Sequence, residues 1–158
     1  AAAPKRLHQK VSSKLNFKLY QFLEGKPCEV YAAPFDVRFP KDSKEDHQIF
    51  NVVQPDICVI CNPEKLDERG CLGAPDLIVE ILSPGNTKTE LKFKYQLYES
   101  HGVTEYWVIH PDYQNIIQYA LVNDQYIPSK LMTSGHVLHS KVLEGFSLDL
   151  EDFFADID

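Results

Sequence analysis

Apolar residues at Val11, Leu15, Leu19 and Phe22 recur close to the helical period and predict a helix over Leu7–Leu23, which Gly25 and Pro27 stop. Glu29–Ala32 and Phe35–Phe39 read as a strand pair split around Pro34. In the second strand Phe35, Val37 and Phe39 alternate with other positions, the pattern of a sheet with one wet face. Pro40 to Asn51, with Lys41-Asp42-Ser43-Lys44-Glu45-Asp46, reads as an exposed loop. Two runs with similar openings come next, Pro55-Asp56-Ile57-Cys58-Val59-Ile60 and Pro75-Asp76-Leu77-Ile78-Val79-Glu80-Ile81-Leu82, joined by a polar connection. Ser83-Pro84-Gly85-Asn86 breaks the second run. Thr87-Lys88-Thr89-Glu90 then has the form of a capping box, opening a helix to about His101 with Gly102 as its C′ glycine. Thr104–Ile109 is a strand by composition. Asn115–Val122 and Gln125–Pro128 form a hairpin around Asn123-Asp124, and Leu148–Phe154 reads as a short closing helix. Helix, strands, helix, strands describe an α/β (α+β) chain, expected as one domain over 1–158 on a single mixed central sheet flanked by helices.

Composition narrows the class. Of 158 residues, 44% are hydrophobic and 25% charged, a globular balance able to bury one core. No apolar run reaches the roughly 18 residues of a membrane span, and no secretory signal pattern appears, so a cytoplasmic setting is expected. The opening Ala1-Ala2-Ala3 carries no methionine. The net charge of −7 excludes a protein that coats nucleic acid through a broad basic surface. It leaves open an enzyme that meets nucleic acid at one metal-loaded cleft. Cys58 and Cys61 have C-x-x-C spacing, but within a strand they face opposite sides and cannot share a metal. With Cys28 and Cys71 they are expected as ordinary buried thiols. His136 and His139 lie in turn-and-strand sequence and carry no metal motif.

The candidate chemistry lies in charges that fall where a core should be. Glu80 interrupts a run that is apolar on both faces, and a carboxylate there is costly to desolvate without a cation or donors. Asp76 shares its face but lies roughly 13 Å away along the strand, too far to bind the same ion. Asp56 is the better partner, because its strand can lie beside that of Glu80. Two such carboxylates suit Mg²⁺ or Mn²⁺. On the following helix Lys94 falls inside the arc of Leu91, Phe93, Tyr95, Leu97 and Tyr98 rather than among its polar residues. It either pairs with Glu90 one turn earlier or points onto the carboxylates of the sheet. Glu105, ahead of Tyr106-Trp107, is a third acidic residue on an apolar strand, with a capping or orienting role as good as a catalytic one.

The segments Gln54-Pro55-Asp56-Ile57 and Ala74-Pro75-Asp76-Leu77-Ile78-Val79-Glu80-Ile81-Leu82-Ser83-Pro84 are joined by a third. It runs from Lys94 through Tyr98 and Gly102-Val103 to Glu105-Tyr106-Trp107-Val108. Together they resemble the Uma2 family, also called DUF820, a restriction endonuclease domain of the PD-(D/E)XK superfamily. The resemblance runs from His8 to the segment Gly145–Leu150. It implies a restriction-endonuclease-like core and Mg²⁺-dependent phosphodiester hydrolysis. Asp56 and Glu80 would hold one or two ions, and Lys94 would stabilise charge or help deprotonate a water. Tyr98 would orient Lys94 or donate to the substrate, with Asp76, Glu90 and Glu105 supporting. The sequence departs from the superfamily pattern at Leu82, where a lysine is usual, and Lys94 is the candidate replacement. DNA is the implied substrate and a homodimer that cuts two strands a possible assembly. Lys10, Lys14 and Lys18 on the first helix either touch a phosphate backbone or form a solvated face.

Three readings follow. One is an Mg²⁺-dependent endonuclease, the second a nuclease-fold protein that binds nucleic acid or a partner without cutting, and the third another metal-dependent hydrolase. The first requires Asp56, Glu80 and Lys94 to converge.

Overall fold

The first helix, α1 (Arg6–Leu23), buries Val11, Leu15, Leu19 and Leu23, one residue every four, along a single stripe. Burying each such side chain stabilises the fold by about 2 kcal/mol, which fixes this helix against a sheet. The computed structural model describes residues 4–41 and 50–158, so most of the expected loop after Pro40 lies outside the described residues.

The sheet under α1 has six strands: β1 (Glu29–Ala32), β4 (Ile57–Ile60), β7 (Leu77–Ile81), β8 (Glu105–His110), β9 (Asn115–Val122) and β10 (Gln125–Pro128), in that spatial order. It is mixed, because β7 and β8 run parallel while its other pairs are antiparallel. The parallel pair needs a crossover, which α2 (Lys88–Ser100) supplies. The central strands are covered on both faces. Ile57, Val59, Leu77, Val79, Trp107 and Ile109 face α1, while Cys58, Ile60, Ile78 and Tyr106 face α2. This explains why β4 and β7 read as unbroken apolar runs.

The expectation of one sheet is corrected. The strand after Pro34, β2 (Val37–Pro40), does not pair with β1. It pairs with β3 (Phe50–Val53) and, in parallel, with β6 (Gly70–Leu72), which also carries β5 (Leu66–Asp67). Nor has β2 one wet face. Arg38 is buried and its Nη2 reaches both carboxylate oxygens of Asp67 at 2.6 Å. A third, two-stranded sheet joins β11 (Val137–His139) to β12 (Ser147–Asp149). The closing helix starts later than expected, as α3 (Leu150–Phe154), because Asp149 caps it by accepting from Glu151 and Asp152 N–H groups.

The β9–β10 hairpin turns at Asn123-Asp124, both at positive φ (50° and 65°), as a two-residue hairpin turn requires. Thr87 caps α2 by accepting from the Glu90 N–H at 3.1 Å. Helical phase placed Phe93 on the buried arc of α2, but it is half exposed; Leu97 and Tyr98 carry the contact with the sheet.

The cysteine expectation is half corrected. Cys58 and Cys71 are buried thiols, raised above their usual pKa mainly by desolvation. Cys28 and Cys61 are joined in a disulfide. The reason is register: β1 pairs antiparallel with β4, Glu29 opposite Ile60, so the next pair outward is Cys28 opposite Cys61, with Cα atoms 4.0 Å apart. No helix among the described residues is long and apolar enough to cross a membrane.

Candidate active site

The antiparallel register of β4 on β7 pairs Ile57 with Val79, so one step outward sets Asp56 opposite Glu80. Directly opposed residues of such a pair have Cβ atoms about 5 Å apart. Asp56 accepts a 2.6 Å hydrogen bond from the Ile81 N–H on Oδ2. Its Oδ1 lies 3.2 Å from His8 Nε2, at the start of α1. The helix over one face and the carboxylates at the strand ends thus meet at the rim of the sheet.

Glu80 has 4% of its surface exposed. The Tyr98 hydroxyl donates to its Oε2 at 2.5 Å, and Lys94 Nζ lies 3.2 Å from the same oxygen. Tyr98 and Lys94 stand one helical turn apart on α2, so a single helix face supplies both. No hydrogen bond among the described residues engages Oε1. Desolvation raises the Glu80 pKa to about 7; the Asp56 charge adds to the rise, and Lys94 and the Tyr98 hydroxyl oppose it. The His8 pKa is also raised, first by its hydrogen bond to Asp56, against the effect of burial. The phenol of Tyr98 is pushed well up by burial and by Glu80.

A cleft of about 100 Å³ opens over these groups, lined by His8, Gln54, Asp56, Glu80, Asn86 and Lys94 among others. Larger clefts occur elsewhere on the surface, but size is a poor guide here, because this one holds the opposed carboxylates.

The remaining candidates lie elsewhere. Asp76, at the start of β7, accepts from the Cys61 N–H at 2.8 Å and fastens the β4–β7 ladder. Glu90 does not pair with Lys94. It is exposed, with a long contact of 3.5 Å from Asn86, because the Lys94 side chain turns inward to Glu80 instead. Glu105 is fully buried on the opposite face of the sheet from Glu80, beside Trp107. It accepts five hydrogen bonds, from Trp107 Nε1, Gln118 Nε2, Ser140 Oγ and the Lys141 and Val142 N–H groups, at 2.6–3.0 Å. That is a structural anchor for the 140–142 segment. Lys10, Lys14 and Lys18 are not a merely solvated face. They pair with Asp158, Asp156 and Asp152 in the C-terminal segment, and Lys14 also caps α3 carbonyls.

The donor set suits a hard divalent ion. Mg²⁺ keeps several waters and is commonly held by one or two carboxylates together with substrate oxygens. Asp56 and Glu80 supply those two, and both line the cleft. Among the described residues no group of three or more His, Cys, Asp or Glu side chains is placed to hold a metal ion, so these two carboxylates are the donors at hand.

A mixed sheet carrying opposed carboxylates at its rim, crossed by a helix that brings a lysine to them, has the architecture of the restriction-endonuclease-like α+β class. The model of the Uma2 family, described as "Putative restriction endonuclease", matches residues 1–151. The chain belongs to the Uma2 family. Among solved structures, it is similar to the crystal structure of "a putative nuclease belonging to DUF820" from Anabaena variabilis ATCC 29413. The TM-score is 0.77 at 20% identity, covering 98% of this chain and 83% of that one, a likeness of fold. No curated protein matches the chain.

Proposed function

We propose that this protein is an Mg²⁺-dependent endonuclease that hydrolyses phosphodiester bonds of DNA, with Asp56, Glu80 and Lys94 as its catalytic residues. The observation that carries the proposal is the register-opposed pair Asp56 and Glu80 with the Lys94 ammonium 3.2 Å from Glu80, at a cleft open to solvent. Family membership supports the reaction class.

Asp56 and Glu80 would hold the ion, which would supply Lewis-acid polarisation of the scissile phosphate and a more acidic water. Lys94 restores the positive charge that Leu82 does not provide just after β7, and it stabilises negative charge developing on the phosphate. Tyr98 fixes the Glu80 rotamer by its short hydrogen bond, and His8 Nε2 steadies Asp56 from 3.2 Å. Sequence reasoning did not single out His8 for this.

The same reading takes residues 1–158 as one nuclease domain, acting in the cytoplasm and as a pair of copies where both strands are cut. A second reading, binding without cleavage, draws on Leu82 at the usual lysine position and on the net charge of −7.

The two separate in a plasmid-nicking assay with Mg²⁺ or Mn²⁺, run on the wild type, Glu80→Ala and Lys94→Ala. The endonuclease reading expects metal-dependent nicking by the wild type, lost with EDTA and lowered by at least about a hundredfold in both variants. Equal nicking in all three preparations, or none in any, removes it.

A further inference from the structure

A second cleft, of about 430 Å³, adjoins the carboxylate cleft and shares Leu82, Ser83, Asn86 and Leu91 with it. Its far wall is the end of β8 and the turn to β9, which contribute His110, Pro111 and Tyr113. Tyr113 is 77% exposed, the most of any large hydrophobic side chain among the described residues. Yet the turn that carries it is firmly held. Gln114 sits at φ 50° and donates from Nε2 to the Ile157 carbonyl at 2.9 Å, and its own carbonyl accepts from Thr133 Oγ1 at 3.1 Å. The ring is therefore displayed on a fixed support. His110 stands beside it, ring centroids 6.2 Å apart, and its Nδ1 is buried without a hydrogen-bond partner among the described residues. Such an orphan calls for an explanation.

The cleft is lined mainly by apolar and aromatic groups. It holds no lysine or arginine, and its one formal charge is Asp112. A phosphate is repelled there and belongs at the Lys94 end. What fits next to that phosphate is a flat, uncharged, partly polar ring. We propose that this cleft is a nucleobase subsite, in which Tyr113 stacks on an unpaired base of the substrate strand adjoining the phosphate at Lys94. The proposal rests on the nuclease reading of the neighbouring cleft and extends it to substrate form. A base paired within a duplex offers its edges rather than its face, so the subsite favours single-stranded or locally opened DNA. It also supplies what the charge of −7 withholds, because stacking gives affinity that does not depend on a basic surface.

The experiment is fluorescence anisotropy with a labelled single-stranded DNA oligonucleotide and its duplex, in EDTA so that nothing is cut. Wild type, Tyr113→Ala and Tyr113→Phe are compared, with melting temperatures confirming that the exposed substitutions leave the fold intact. The subsite predicts tighter binding of the single strand, a loss of roughly tenfold in Tyr113→Ala and retention in Tyr113→Phe. It also predicts that an oligonucleotide with its bases replaced by abasic sites binds wild type and Tyr113→Ala alike. Equal affinity of wild type and Tyr113→Ala for the normal single strand overturns the proposal, as does failure of the wild type to bind it. Stacking-dependent binding without metal-dependent nicking upholds the subsite and removes the cutting reaction. Nicking with no effect of Tyr113→Ala on single-strand binding does the reverse.

Discussion

Lys94→Met removes the ammonium from a buried carboxylate, and its cost follows from the state of Glu80. The folded pKa of Glu80 is raised from 4.5 to about 7, so its neutral form is the one the metal-free fold prefers. A raised carboxyl contributes stability that is complete below the unfolded pKa and is lost as pH rises through the folded one. At pH 5 Glu80 is neutral in both proteins, and a neutral carboxyl needs no counter-ion. There Lys94→Met is nearly silent apart from the lost stem contacts. Above pH 7 the wild type ionises Glu80 against Lys94 and stops losing stability, whereas the variant must stay protonated and goes on losing it. The difference is about 1 kcal/mol at pH 8 and grows by about as much for each further unit until the variant's Glu80 also ionises. This escape by protonation keeps the cost below the roughly 3–5 kcal/mol of a broken buried pair. The raised pKa of His8 has the same sign but is common to both proteins and largely cancels. Urea unfolding in EDTA at pH 5, 7, 8 and 9 measures it. A difference independent of pH, or largest at pH 5, refutes the coupling of Lys94 to Glu80.

Protons and a divalent ion compete for Glu80, so Mg²⁺ at ten times its Kd should stabilise the wild type by about 1 kcal/mol, or ~3 °C, at pH 8. The shift should shrink at pH 6, and a shift as large at pH 6, read by thermal melting, counts against Glu80 as ligand. Glu105→Ala leaves five donors without their acceptor and should cost at least about 3 kcal/mol, seen as a lowered urea midpoint. A cost under about 1 kcal/mol would mean that water replaces the carboxylate freely.

The juxtaposition of Asp56 and Glu80 was legible because one flanks and the other interrupts an apolar run short enough to be one of two adjacent strands, whose pairing then sets them opposite each other. Lys94 was legible as a cation on the wrong side of its helix. Its partner was not settled, since helical spacing sees Glu90 but not a carboxylate on the sheet beneath. His8 left no local signal: a lone histidine at a helix start gains meaning only once α1 lies across the end of β4. The second sheet and the Cys28–Cys61 bridge escaped for a related reason. Reading β1 as the partner of β2 hides its true pairing with β4, and that register sets the two cysteines opposite one another. Glu105 looked like a site residue because a buried carboxylate reads the same whether cations or N–H and O–H donors surround it. Its donors come from Gln118 and the 140–142 segment, far along the chain.

The central claim is that Asp56 and Glu80 together hold a divalent ion, and calorimetric titration of Mn²⁺ at pH 8 into the wild type and Glu80→Gln tests it most directly. The isosteric change keeps the size of the side chain and removes its charge. Saturable binding by the wild type that weakens by at least about tenfold in Glu80→Gln, while the variant's fold is retained, is the predicted result. Equal affinity in the two proteins, or no binding by the wild type, contradicts it.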